Sequence, residues 1–170
     1  MSKSNTDDLF TPAYAVKPIL EFLPEEVAVW CAFDTLDSEF VKVICEHRPV
    51  AYSDLSFGQD FFEYEPDTWD VLITKPTFSN KDKVIARALK LGKPFALMMP
   101  DSWLASKTLK KLFVDATEEE EEEKQLQTLR FDHEIDYFDA NGAITSLKTG
   151  YCCYDLLPNN GVKRKLDVPV

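Results

Sequence analysis

Histidine is nearly absent from this chain, and its cysteines fall in no useful pattern. The two histidines, His47 and His133, have no serine or cysteine partner at a motif spacing, which argues against a hydrolase triad. The four cysteines, Cys31, Cys45, Cys152 and Cys153, lack metal-ligand spacing, and adjacent Cys152 and Cys153 on a strand would point to opposite faces. They are expected to be buried free thiols in a reducing cytoplasm, with no disulfide and no metal. No stretch approaches the roughly 20 apolar residues that span a bilayer. Residues 2–8 are all polar and hold no apolar segment of a signal peptide, so a cytoplasmic location is expected. Positive charge is also short: 19 Lys and Arg face 30 Asp and Glu, for a net charge of −11. Setting aside the run Glu118 to Glu123 leaves about −5, so the body of the chain is only mildly acidic. This balance disfavours sequence-independent nucleic-acid binding, which needs clustered Lys and Arg, while leaving room for a local basic groove or a surface that imitates nucleic acid. No internal repeat and no separate target-recognition domain are visible.

What the chain does have is 45% hydrophobic residues over 170 positions, enough for one domain with a proper core. Residues 1–9 read as a flexible start. Phe10-Thr11-Pro12 opens a helical pattern carrying Ala15, Ile19 and Leu20 or Phe22, closed by Pro24. Val27 to Phe33 is a continuous apolar run, as expected of a strand covered on both faces. Asp37-Ser38 can cap a helix bearing Phe40, Val41, Val43 and Ile44. Pro49 to Ser53 is a second strand, followed by a turn at Gly58 and the pair Phe61-Phe62. Val71 to Ile73 suits a buried strand that Pro76 ends. Ser79-Asn80 then caps a helix with Val84, Ile85, Ala88, Leu89 and Leu91 inward, stopped by Gly92. Pro94 to Pro100 is another strand, and Ser102 to Phe113 contains a helix. Glu118 to Gln125 is read as a solvated acidic loop. Leu126 to Phe131, a hairpin over Ile135–Phe138 and Ala143–Leu147 with Asn141-Gly142 in its turn, and Tyr151 to Leu157 follow as strands. Residues 159–170 form a polar tail. The three tryptophans, Trp30, Trp69 and Trp103, read as core or rim. The pattern predicts an α/β domain over residues 10–158 with a mostly parallel sheet and an antiparallel C-terminal edge.

The candidate chemistry lies in the residues that follow the strands. Asp34 follows the first strand, Asp54 the second, Asp60-Phe61 the next turn, and Lys75-Pro76-Thr77-Phe78 the third strand. In an open α/β sheet, ligands bind at the carboxyl ends of the strands. A carboxylate after the second strand can accept ribose hydroxyl bonds, and an acid beside an aromatic can hold the edge and face of adenine. Taken singly, each acid is a good helix cap or turn residue, and Lys75 a surface lysine in a strand-ending turn. Their shared edge is what suggests an adenosine-type cleft.

These residues also carry a family resemblance. Phe10-Thr11-Pro12, Val29 to Asp34 with Asp37-Ser38, Asp54, Asp60-Phe61-Phe62, Asp70 to Ser79 and Gly92-Lys93-Pro94-Phe95 together resemble the class I S-adenosylmethionine-dependent methyltransferases. The likeness is to the small phage-type adenine methyltransferases with an Asn/Asp-Pro-Pro-aromatic loop. It covers about Phe10 to Pro100, with Tyr151 to Pro158 a looser match. The resemblance implies a Rossmann-like fold and cofactor contacts from Thr11, Asp34, Asp54, Asp60 and Phe61. It also implies a catalytic loop at Lys75, Pro76 and Phe78, and an adenine in DNA or RNA as ancestral substrate, with no metal.

In that family the loop's Asn or Asp and first Pro carbonyl accept hydrogen bonds from the target amine, and the aromatic stacks on the base, which is catalysis by positioning and electrostatics. Here Lys75 holds the acceptor position, although an ammonium has donors only. Thr77 replaces the second Pro, and Cys31-Ala32-Phe33 stand where glycines normally let the backbone approach the cofactor. Two readings follow. One is an enzyme that methylates an amine in nucleic acid, impaired by Lys75. The other is an inactive methyltransferase fold that binds a host or defence protein in the host cytoplasm.

Overall fold

A computed structural model of the chain describes residues 9–117, 125–158 and 163–166, the last four as backbone only. Residues 1–8 of the expected flexible start and nearly all of the acidic loop lie outside the described residues, while Leu9, expected to be loose, is buried in the core.

The strands form where the continuous apolar runs stand: β1 (Val29–Ala32), β2 (Val50–Ser53), β3 (Val71–Thr74) and β4 (Phe95–Pro100). They pair in the order β2-β1-β3-β4, all parallel. The sheet then continues through β8 (Thr149–Tyr154), β5 (Gln127–Phe131) and β9 (Lys163–Leu166). β8 runs antiparallel to both β4 and β5, while β9 runs parallel to β5. This seven-stranded, mostly parallel sheet with an antiparallel strand on its C-terminal side is the predicted α/β architecture. Within the segment read as a polar tail, β9 is the addition. An edge strand needs backbone partners on one side only and no apolar run, so nothing in Lys163-Arg164-Lys165-Leu166 announces it.

Side chains alternate between the two covered faces of the sheet. Val29, Cys31, Val71, Ile73, Met98, Tyr151 and Cys153 pack with α1 (Ala13–Val16), the 3₁₀ turn that follows it and α2 (Glu39–Cys45). Trp30, Ala32, Leu72, Phe95, Leu97, Met99 and Cys152 pack with α3 (Lys81–Leu91) and α5 (Lys107–Thr117). Cys152 and Cys153 thus enter opposite layers, as strand geometry requires. Cys31, Cys152 and Cys153 are buried, but Cys45 is exposed. It is the last residue of α2, beyond the buried stripe of Phe40, Val41, Val43 and Ile44.

Two helix expectations are corrected. The helix expected within Ser102 to Phe113 is α5, which carries Leu109 and Leu112, but Leu104, expected on the same helix, belongs to α4 (Asp101–Leu104): α4 ends at Ala105, and α5 restarts with the Ser106 hydroxyl accepting the Leu109 N–H at 3.2 Å. The five-residue step from Leu104 to Leu109 does not fit one helical stripe. At α3, Asn80 occupies the N-cap position without a side-chain cap bond, whereas Gly92 ends the helix in the left-handed conformation. The hairpin β6 (Ile135–Phe138) and β7 (Ile144–Leu147) forms as expected, as a separate two-stranded sheet. It is tied to the N-terminal segment by the Phe10–Phe138 backbone bridge and ring stack, and buries Ile135 and Tyr137 in the first layer.

Candidate functional site

Because β1, β2 and β3 run parallel, the residues that follow them emerge at one edge. β1 lies between β2 and β3, so helices depart to opposite faces on either side of it and a crevice opens at that edge. A cavity of about 760 Å³ lies there, within the roughly 300–1,000 Å³ of small-molecule sites. Its lining includes Thr11, Asp34, Asp54, Asp60, Phe61 and Lys75. Six of the eight residues singled out in the sequence therefore meet around one space. Pro76 and Phe78 do not line it. Both are buried behind the loop, Phe78 at 7% exposure with the Lys75 ammonium 4.9 Å from its ring centre.

Each acid also does the local work expected of it alone. Asp54 accepts the Ser56 N–H at 3.0 Å and the Ser56 hydroxyl, capping the short 3₁₀ turn Leu55–Phe57. Asp60 accepts the Phe62 N–H at 3.0 Å, turning the chain so that Phe61 packs inward against Trp30 and Phe33. That turn is held from behind by Arg87 of α3, whose Nε–H donates to the Phe61 carbonyl at 2.8 Å.

Asp34 is the most deeply set acid, 7% exposed. Its Oδ1 accepts from the Ser38 hydroxyl at 2.5 Å, and its Oδ2 lies 2.6 Å from the Thr74 hydroxyl. Burial pushes its pKa up to about 7, with Asp54 adding to the rise and Ser38, Thr74 and Lys75 opposing it. Thr11, at 5% exposure, presents a buried hydroxyl with no hydrogen-bond partner among the described residues. An orphaned buried hydroxyl costs roughly 1–3 kcal/mol, which a ligand atom would recover. Among the lining residues Lys75 is the single cation, facing Asp34, Glu39, Asp54, Asp60 and Asp139.

Sequence reasoning missed two parts of the wall. Phe33 adopts φ 64°, a left-handed backbone uncommon outside glycine, and its ring packs on Phe61 at 5.0 Å. The hairpin turn Asp139-Ala140-Asn141 closes another side. Its Asn-Gly signal gives the hairpin, but only the Phe10–Phe138 bridge brings the turn to the cavity.

No protein-family model and no curated protein matches the chain. Solved structures do. A Listeria monocytogenes protein classed with the class I S-adenosylmethionine-dependent methyltransferases superposes with a TM-score of 0.56 at 10% identity, covering 96% of this chain and 68% of its own. The fold is that of the class I methyltransferases. A TehB-like S-adenosylmethionine-dependent methyltransferase from Corynebacterium glutamicum matches at a TM-score of 0.40 and 9% identity, over 85% of this chain and 88% of its own. Among the described residues no group of His, Cys, Asp and Glu could hold a metal ion, and no helix is long and apolar enough to cross a membrane.

Proposed function

We propose that the chain is an S-adenosylmethionine-binding protein of methyltransferase type, with the cofactor held in the cavity at the ends of β1–β3. The carrying observation is the convergence of Thr11, Asp34, Asp54, Asp60 and Phe61 on that one space. The residues fit the group. Asp54 would accept the ribose hydroxyls, Asp60 and Phe61 the edge and face of the adenine, and the unpaired Thr11 hydroxyl would gain a partner. Bound S-adenosylmethionine supplies a methyl group on an electrophilic sulfonium. The chain's own part is to hold it in an acid-lined space that suits a cation.

The acceptor we propose is an adenine amine of DNA or RNA, as in the phage-type enzymes that the loop after β3 resembles, in a protein working in the host cytoplasm. Lys75 impairs that reaction. It offers three donors and no acceptor to an amine that must itself donate, and its charge opposes the positive charge that builds on the nitrogen. One observation favours a second reading, an inactive fold that binds a host or defence protein: Phe78 is buried beneath Lys75, so the loop offers the cavity no stacking ring and sets a cation at the acceptor position.

Calorimetric titration with S-adenosylmethionine tests the first step. Saturable heat is expected, and silence at millimolar ligand overturns the cofactor reading. The Lys75→Asn variant tests the second. It restores an acceptor, and methyl transfer to adenine-containing DNA or RNA is expected to rise by about tenfold or more. Equal, robust transfer by both proteins overturns the role given to Lys75.

A further inference from the structure

The positive charge of the chain is not spread evenly. Residues Lys81 to Thr117 hold eight of the 19 Lys and Arg but only three of the 30 Asp and Glu. This stretch begins with α3 and ends with α5, which pack together over the second face of the sheet. Each helix turns an apolar stripe inward, Val84, Ile85, Ala88 and Leu89 on α3, and Leu109 and Phe113 on α5. Lys83, Lys107, Lys110 and Lys111 stand exposed, all in the first half of their helices. Because α3 follows β3 and α5 follows β4, both helices start at the carboxyl edge of the sheet, the edge that holds the cavity. Trp103, on the short α4 that leads into α5, is half-buried with the Lys81 ammonium 5.6 Å from its ring centre. The same ammonium donates to the Phe78 carbonyl at 3.1 Å, which ties this face to the loop whose Lys75 and Thr77 line the cavity.

These lysines do not help their own helices. A cation at a helix start opposes the dipole, α5 has no acid in its first turn, and Lys107 and Lys111 are like charges four residues apart. Among the described residues none of the four forms an ion pair. Asp82 and Asp115 are the acids of the two helices, and the acidic run Glu118 to Glu123 follows the far end of α5. Phosphates laid across the lysines would turn this repulsion into attraction. We propose that the exposed lysines at the starts of α3 and α5 form a surface that binds the phosphate backbone of a nucleic acid, beside the cavity and outside it. The inference deepens the nucleic-acid reading above and rests on it for the class of partner. It answers the difficulty that a net charge of −11 sets for that reading. The acids around the cavity repel phosphates, so the backbone lies along the basic face while a base reaches over the loop after β3. Packed helices lie about 8–10 Å apart, so the lysines cover a strip wide enough for a few phosphates of one strand.

Fluorescence anisotropy with labelled, adenine-free oligonucleotides reads this surface apart from the chemistry. A DNA strand, a guanine–cytosine duplex and an RNA strand are titrated between about 50 and 200 mM salt. Binding of at least one is expected, weakening as salt rises. Lys83→Gln combined with Lys111→Gln removes one charge from each helix and is expected to lower affinity about tenfold at the low salt. The slope of log affinity against log salt is expected to fall by about 1.4 on a single strand or about 1.8 on a duplex. Lys17→Gln combined with Lys42→Gln removes as much charge from the opposite layer, where both lysines are exposed, and is expected to change affinity by less than about twofold. Glutamine matches lysine in helix propensity, so an unchanged urea midpoint checks that both variants fold. An equal loss from both variants overturns the inference. So does displacement by polyglutamate as readily as by an oligonucleotide, which would make the partner an acidic protein. Heat from S-adenosylmethionine with no oligonucleotide binding at low salt overturns this surface alone. Binding without that heat upholds the surface and overturns the cofactor reading.

Discussion

Phe33 stands in a backbone conformation that costs an L-residue roughly 1–2 kcal/mol. The cost is offset by its ring, which packs against Phe61 and, through it, against Trp30. Phe33 immediately precedes Asp34 and shares its cavity, so the strained residue and the deepest acid form one unit. Two truncations separate backbone from ring. Phe33→Ala and Phe33→Gly both lose the stack on Phe61, but only glycine relaxes at φ 64°. Urea denaturation is therefore expected to find the glycine variant more stable by about 1 kcal/mol, the reverse of the usual order. The sequence displays the missing glycines plainly. It does not display what stands in for them, because the conformation of Phe33 is imposed by a ring contact with a residue nearly thirty positions away. The acids were easier to read, since each follows a strand within a residue or two, and strand ends are visible in the apolar runs.

Among the elements, β8 and β5 approach one another at a point where no side chain fits. A Cβ on Gly150 would sit 2.4 Å from the Leu129 carbonyl oxygen and 2.9 Å from Leu104 Cδ1. Backbone cannot swing aside as the end of a side chain can. Gly150→Ala is expected to push β5 off β8 and destabilise the fold by about 3 kcal/mol, measurable as a lowered urea midpoint. The apolar runs made β1, β3 and β4 legible to within a residue or two of their ends. The break between α4 and α5 and the strand β9 were not legible for opposite reasons. Ser106 marks the break but looks like any helix-surface serine, and β9 carries no apolar signal. The 3₁₀ turn after α1 was hidden too, because its Pro18 is equally at home in the first turn of an α-helix.

The whole molecule keeps three of its four thiols between the sheet and its covering layers. Burial raises Cys31, Cys152 and Cys153 further, so they stay protonated and unreactive. A thiol reagent on the folded protein is expected to titrate Cys45 alone at once, and all four after denaturation. Rapid modification of more than one would show that the sheet is not covered as described. At this scale the sequence is most informative, because continuous apolar runs imply a parallel sheet covered on both faces. The antiparallel entry of the last apolar strand was legible as well, and β8 does insert antiparallel between β4 and β5, whereas β9 beyond β5 carries no apolar signal.

That insertion has a consequence for how the chain is made. β4 carries five successive buried residues, Phe95 to Met99, and one of its two neighbours is β8. The ribosome delivers β4 first and must then complete α4, α5, β5 and the hairpin before β8 appears. At roughly 5–20 residues per second, the open side of β4 waits for seconds in the crowded cell. Through that interval every cavity residue but the hairpin turn has already emerged on a sheet that cannot close. Synthesis therefore passes through a species with its ligand pocket largely assembled and its stickiest edge bare, and that species is the one a chaperone would meet.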